Sequence, residues 1–403
     1  MTAGSQTATL ESIQFVGGDV ATPVERAIAL KELVRKHADA SEAQRHLASE
    51  VAEAFAASGL YRIAAPKDHF GSEEDPLTQV ETIEAIAQAD GSAAWNLMIG
   101  IETFGLVAPG FVQCRELIED PGVVLCSSTA AVGRADKVDG GYRVSGRWQF
   151  VSGCHNAQIF GATVRVWEDG ERVESLPNRY AVITQPDWRI IDTWHTGGLC
   201  GSGSHDVEVD DVFVPQARLT APIGGAQHDS ALLNFPLGSR LAYNKVAVAW
   251  GLTRAGIDAF VELAQGKQPR FSARGLKDRP RAQRAVAEAE VRFRSGRAFV
   301  IELLQQMWET VQARGHVTSK DRGLFQLACS DAVRGCRQAV DTIAEAAGTT
   351  ANQKSHPLER IVRDIRVVGQ HVTVAPHNIE DAGRLLLGLP AQEMMLAGLQ
   401  SSD

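Results

Sequence analysis

The sequence predicts an α+β chain in three successive zones. These are a helical N-terminal domain over residues 1–121, a central antiparallel, barrel-like β domain over 122–235 and a C-terminal helical bundle over 236–403. Apolar residues recur at helical spacing from residue 24 to about 120. From 122 to about 217, β-branched and aromatic residues alternate or cluster between Gly and Asp turns. From about 238 the helical spacing returns in longer runs. With 403 residues the chain is long enough to bury a large shared core.

In the first zone, VERAIALKELVRKHADAS and HLASEVAEAFAASG read as helices, the second stopping at Gly59, a residue suited to the position after a helix end. Asp90-Gly91-Ser92 breaks the next helix, and Ser92 is the expected cap of AAWNLMIGIETFG. In the second zone, VVLCSSTA, YRVSGRWQFVSG, AQIFGATVRVW, RYAVITQ and HDVEVDDVFV are strands, and Asp139-Gly140-Gly141 is a hairpin turn. They lie too close together in sequence for helical crossovers, so antiparallel pairing is expected. The third zone holds three long helical runs, beginning near Arg240, Arg281 and Lys320, and a further segment from Pro357.

Composition excludes several classes. A net charge of -9 speaks against nucleic acid as a partner, because phosphate binding needs a cationic surface. The basic stretch from Lys267 to Arg284 is interrupted by acids and reads as a solvated helix entry. No apolar run reaches the roughly 20 residues that span a bilayer, and MTAGSQTATLESIQ lacks the pattern of a secretory signal, so a soluble cytoplasmic protein is expected. The six cysteines (114, 126, 154, 200, 329 and 336) form no CxxC pair and read as buried free thiols. His195 and His205 have no third ligand at metal spacing, and GLCGSGS lacks the spacing of a dinucleotide loop, so neither a metal nor a Rossmann site is expected.

Four segments carry a resemblance, in order, along nearly the whole chain. They are GLYRIAAPKDHFGSEEDPLTQVETIEAIAQADGSAAWNL (59–97), DGGYRVSGRWQFVSGCHNA (139–157), WHTGGLCGSGSHDVEVDDVFVP (194–215) and LERIVRDIRVVGQH (358–371). Together they resemble the flavoproteins of the acyl-CoA dehydrogenase fold. Many dehydrogenases of that fold place a Glu shortly after the Arg-Asp pair to remove a substrate proton. Here no Glu or Asp occurs from Ile365 to Asn378, and His371 stands within about one residue of the expected acid. That departure, with the forms G-R-W-x-F-x-S-G and D-G-S-x-A-W, is similar to the two-component flavin-dependent monooxygenases. Cys200 replaces an Arg common in the family's glycine-rich loop.

The resemblance implies an oxygenase component that takes reduced FMN or FAD from a separate reductase. It would use O₂ through a flavin C4a-hydroperoxide to oxygenate a small, aromatic substrate. A homotetramer is implied, with sites near subunit contacts. Ser152 is the expected contact to flavin N5, and Ser127, Ser128 and Thr129 face the pyrimidine edge or form a polar strand entry. Trp148 stacks near the flavin or packs the β core. Arg274, with its planar fork, and Thr349 beside Thr350 are candidates for the flavin phosphate, or else surface and capping groups. His371 is the candidate acid or base, since imidazole exchanges protons near neutral pH, and His377 competes with it. Trp95, Met98, Ile99 and Phe104 are expected to wall the substrate or simply to pack a helix face, and His155 is a candidate substrate contact. Two rivals stand beside this reading: an acyl-CoA dehydrogenase with an atypical base, and a non-catalytic binding or assembly subunit of the same fold.

Overall fold

The computed structural model describes residues 21–220, 230–393 and 395–396, so the N-terminal stretch read for targeting lies outside the described residues. Four helices come first: α1 (Pro23–Gln44), α2 (Ser49–Ala57), α3 (Pro76–Ala87) and α4 (Gly91–Leu106). α1 opens with a capping box in which the Thr22 side chain and Glu25 satisfy each other's backbone amides. Asp90, not the expected Ser92, caps α4, its Oδ1 accepting from Ala93 N at 2.8 Å. The helix thus starts at Gly91, two residues earlier than the Ser would have set it.

The β zone contains β1 (Leu125–Val138), β2 (Gly141–Val151), β3 (Ile159–Glu168), β4 (Glu171–Arg172), β5 (Arg179–Thr184), β6 (Arg189–Ile191), β7 (His205–Pro215) and β8 (Leu219–Thr220). They form one eight-stranded sheet in the order β6-β7-β2-β1-β3-β5-β8, with β4 pairing β3. The sheet is mixed. β1 and β2 form the expected hairpin at Asp139-Gly140-Gly141, but β1 pairs β3 in parallel. The chain leaves β2 through Ser152–Gln158 and enters β3 on the far side of β1, which makes a parallel pair without a helical crossover. The strand path runs from β6 to β8 among the described residues, and the parallel β1–β3 pair corrects the expectation of antiparallel pairing throughout.

The remaining helices are α5 (Ala231–Asn234), α6 (Leu237–Gly266), α7 (Pro280–Arg314), α8 (Ser319–Ala347), α9 (Pro357–Val368) and α10 (His377–Leu386). Ala242 to Thr253 of α6 is buried on every side, because α3, α4, α8 and α9 all pack on this helix. Continuous burial of α6 and the underside of the sheet joins the zones into a single core. No described helix is long and apolar enough to cross a membrane.

Candidate active site

The end of β2 departs from strand alternation. Trp148 pairs with Val207 and Val151 with His205, with a register shift between the two pairs. This bulge puts Phe150 in the left-handed region (φ 60°) and turns its ring out, 69% exposed, while Trp148 has no exposed surface. Ser152 follows, and Gly153 takes φ 76°, a conformation open to glycine; a Cβ there would also lie 3.0 Å from Asn96 Oδ1. The β2–β7 pairing that ends at Val151 and His205 sets Ser152 and Ser204 side by side, with 2.7 Å between their hydroxyl oxygens. Ser204 continues to Ser202 at 2.8 Å. From α4, the Trp95 indole N–H donates to Ser152 Oγ at 3.1 Å.

The other side of Trp95 meets His371. The two rings approach edge to face at 5.5 Å between centroids. His371 lies in the turn between α9 and α10 rather than within a helix. Thr373 holds its Nδ1, with the hydroxyl at 2.8 Å and the amide at 3.4 Å. The amide can only donate, so Nδ1 accepts and the proton of the neutral ring is assigned to Nε2. Burial, and then the Lys245 ammonium, hold the His371 pKa down at about 3. Lys245 stands 6.0 Å from the Trp95 ring and is itself buried. Glu102 engages it through both carboxylate oxygens at 2.6 Å and also accepts from Asn244 at 3.2 Å.

α9 pins the glycine-rich loop against this assembly. Asp364 Oδ1 accepts from Leu199 N at 2.7 Å, and Arg363 donates to Gly197 O at 2.8 Å. The same guanidinium lies 3.9 Å from Cys200 Sγ, so Arg363 brings a cation to the loop in which Cys200 replaces the family's Arg. Asp364 is buried, and its Oδ2 has no hydrogen-bond partner among the described residues. Desolvation, reinforced by the Asp90 carboxylate, raises its pKa to about 7. Between its ordinary value and pH 7 the unfolded chain ionises this group while the folded chain keeps its proton. The folded state therefore binds more protons there, and stability falls as pH rises through that window. Asp364→Asn is expected to flatten this fall, so that the variant melts above the parent at pH 8 and near it at pH 4. Parallel melting curves across that range would contradict the assignment. Asp90, Asp364 and Arg360 also line a cavity of about 580 Å³ that touches none of Ser152, Trp95 and His371.

Comparison with known proteins decides the family. Residues 244–376 match the model described as acyl-CoA dehydrogenase, C-terminal domain. An indole-3-acetate monooxygenase of Pseudomonas putida is 34% identical over 363 residues, covering 89% of this chain and 92% of that protein. The chain belongs to the flavin-dependent monooxygenases built on the acyl-CoA dehydrogenase fold. The flavin-dependent monooxygenase oxygenase subunit HsaA of Rhodococcus jostii is 30% identical, over 93% of this chain and 100% of that one. The crystal structure of a 3-HSA hydroxylase from Rhodococcus sp. superposes with a TM-score of 0.83 at 28% identity, covering 94% of this chain and 99% of that one.

The remaining expected residues of the monooxygenase fall in three places. Ser127 Oγ is 3.0 Å from Thr103 Oγ1 of α4, and Thr129 is exposed where β1 and β3 lose register. Arg274 and Thr349 are both exposed on neighbouring loops, which Lys267 joins by donating to Ala347 O and Thr350 Oγ1, each at 2.6 Å. Among the described residues no contact links this corner to the Ser152 turn. His377 opens α10, and His155 stacks on His46 at 4.1 Å and meets His205 at 5.0 Å.

Three residues for which the sequence left two roles open take the packing role. Trp148 donates to Thr163 O at 2.9 Å and packs on Phe160, and a Cβ on Gly133 would lie 2.2 Å from its ring. It is a sheet-core residue with no face open to a flavin. Met98 and Phe104 have no exposed surface and pack the core, Phe104 beneath the Arg62 guanidinium at 4.7 Å. Phe150, Ser202, Ser204, Thr373, Lys245 and Glu102 escaped the sequence reading. Of these, only Ser202 and Ser204 carried a signal, as hydroxyls inside the Gly-rich run. Among the described residues no group of His, Cys, Asp and Glu is placed to hold a metal ion.

The side chains at this turn fit a flavin. An outward aromatic ring, Phe150, stands two residues along the chain from Ser152, whose hydroxyl lies in the buried turn at the end of the strand. Thr129 adds an exposed hydroxyl in the sheet. These are an apolar face and edge donors suited to a flat heteroaromatic ring.

Proposed function

We propose that this monooxygenase oxygenates a small aromatic substrate, with reduced FMN or FAD delivered by a separate reductase. Reduced flavin is the family's cofactor; when bound it supplies the electrons and activates O₂. The observation that carries the reading is the convergence on Trp95, whose indole N–H bonds Ser152 while its ring packs on His371. Ser152 holds the flavin edge, and Phe150, rather than Trp148, faces the ring. His371 presents Nε2–H toward the substrate and assists proton transfer at its reacting oxygen or nitrogen. Trp95 and the apolar residues of α4 keep water from the site. Arg274 and Thr349 serve the flavin phosphate from a neighbouring subunit, which the exposure of both side chains supports. Exposed Phe271, Val291 and Phe299 on the C-terminal helical unit support a homotetramer. The division at residues 121 and 235 follows the order of helices, strands and helices, and a cytoplasmic location fits the reduced-cofactor supply.

An acyl-CoA dehydrogenase needs a free carboxylate near the substrate. Glu102 is the carboxylate held by Lys245 beside the Trp95 ring, and Lys245 engages both its oxygens. The test is turnover with a flavin reductase, NADH, ¹⁸O₂ and a panel of phenols and indoles. One ¹⁸O atom per product is the expected result. Bleaching of bound oxidised flavin by an acyl-CoA, with no labelled product, would overturn the proposal.

A further inference from the structure

We propose, resting on the reading of Ser152 as a flavin contact, that Ser204 and Ser202 are positioning residues that turn the Ser152 hydroxyl outward as a hydrogen-bond donor to the flavin.

The geometry is a buried chain of three hydroxyls. Ser202 has no exposed surface, Ser204 has 4% and Ser152 has 5%. Their oxygens are spaced 2.8 Å and 2.7 Å apart, and Trp95 Nε1 reaches Ser152 Oγ at 3.1 Å. Each hydroxyl has one proton to give and two lone pairs to receive. Ser204 Oγ is the only hydrogen-bond partner of Ser202 Oγ among the described residues. If the chain ran inward, Ser152 would donate to Ser204 and Ser204 to Ser202. The Ser202 proton would then be stranded in a fully enclosed position, the costly case for a buried donor.

The outward direction leaves no proton stranded at Ser202 or Ser204. Ser202 donates to Ser204, and Ser204 donates to Ser152. The Trp95 indole can only donate, so it fills the second lone pair of Ser152. The Ser152 proton is then the one left over, at the hydroxyl that ends the chain, two residues past the exposed Phe150. Successive donation along the chain polarises that O–H further.

The backbone is built to hold this arrangement. Gly153 N donates to Ser202 O at 3.1 Å, which ties the Ser152 turn to the glycine-rich loop. Asn96 Nδ2 braces the same loop at Gly201 O (3.3 Å) and Ser202 O (3.4 Å). Gly203, at φ 57°, bends the chain between the two serines, and a Cβ there would lie 2.9 Å from His46 Cβ.

The test uses the full-length protein and the variants Ser204→Ala, Ser204→Thr, Ser202→Ala and Ser152→Ala. Anaerobic titration with reduced FMN or FAD, followed through tryptophan fluorescence, gives affinity. Stopped-flow mixing with O₂ gives the lifetime of the transient at roughly 380 nm. Ser204→Ala is expected to weaken binding and shorten the transient about three- to tenfold, the change an ordinary hydrogen bond gives. Ser204→Thr restores both, and Ser202→Ala moves both in the same direction by less. If Ser204→Ala does not fold, the sign for Ser202→Ala decides. Unchanged or longer-lived transients in the Ser204 and Ser202 variants, with Ser152→Ala impaired, would overturn the inference alone. A Ser152→Ala variant that behaves as the parent would instead overturn the underlying reading of Ser152.

Discussion

Ser152→Ala shortens the transient at roughly 380 nm by about 10- to 100-fold and diverts most reducing equivalents to hydrogen peroxide. The expected size is that of one hydrogen bond to a charged or strongly polarised atom. Its direction follows from the site. The Ser152 hydroxyl receives from Trp95 and from the buried serines, so the alanine variant removes the edge donor and leaves two inward donors without an acceptor. Trp95 stays in place through its packing on His371, so substrate binding should survive. Product formed per reduced flavin therefore falls while the substrate Kd changes little. Full coupling in the variant would show that Ser152 does not face the flavin.

His371→Ala leaves that transient intact and slows product formation by about 10²- to 10⁴-fold, the usual contribution of a positioned acid or base. The ring is neutral at working pH, because burial and Lys245 keep its pKa at about 3. A group with that pKa is uncharged at every pH above it, so hydroxylation should show no acid limb from His371 between pH 5 and 9. Thr373 fixes Nδ1 as the acceptor, so Nε2 meets the substrate as a donor. His371→Gln can donate but cannot take up a proton. Partial recovery with Gln supports donation, whereas a Gln variant as slow as Ala assigns His371 as a base. An acid limb near pH 6 that disappears in both variants would contradict the depressed pKa.

Much of this site was legible as residue types and little of it as geometry. Ser152 and His371 could be named from the resemblance of GRWQFVSG to the family's segment and from the absence of an acid after Arg363-Asp364. Strict alternation along GRWQFVSG puts Trp148, Phe150 and Ser152 on one face. The bulge between Trp148 and Val151 breaks that alternation, burying the first ring and exposing the second. Helical spacing put Trp95, Met98 and Phe104 in one group, but only the tertiary packing leaves the last two without exposed surface. The parallel β1–β3 pair was hidden because strand spacing reports connection length, not the side on which the returning strand docks. The Ser202–Ser204–Ser152 chain links positions about fifty residues apart, and no local signal predicts it. Asp90 took the cap from Ser92 because a carboxylate at the buried break also meets the Arg360 side chain, at 3.9 Å.

The most direct test of the oxygenase assignment is stopped-flow absorbance of the purified protein, mixed anaerobically with reduced FMN or FAD and then with oxygenated buffer. The site described here, with a donor at Ser152 and a water-excluding wall around Trp95, predicts a species absorbing at roughly 380 nm that outlives its counterpart in free solution, with at least one of the two flavins. Immediate return to oxidised flavin with both would contradict it.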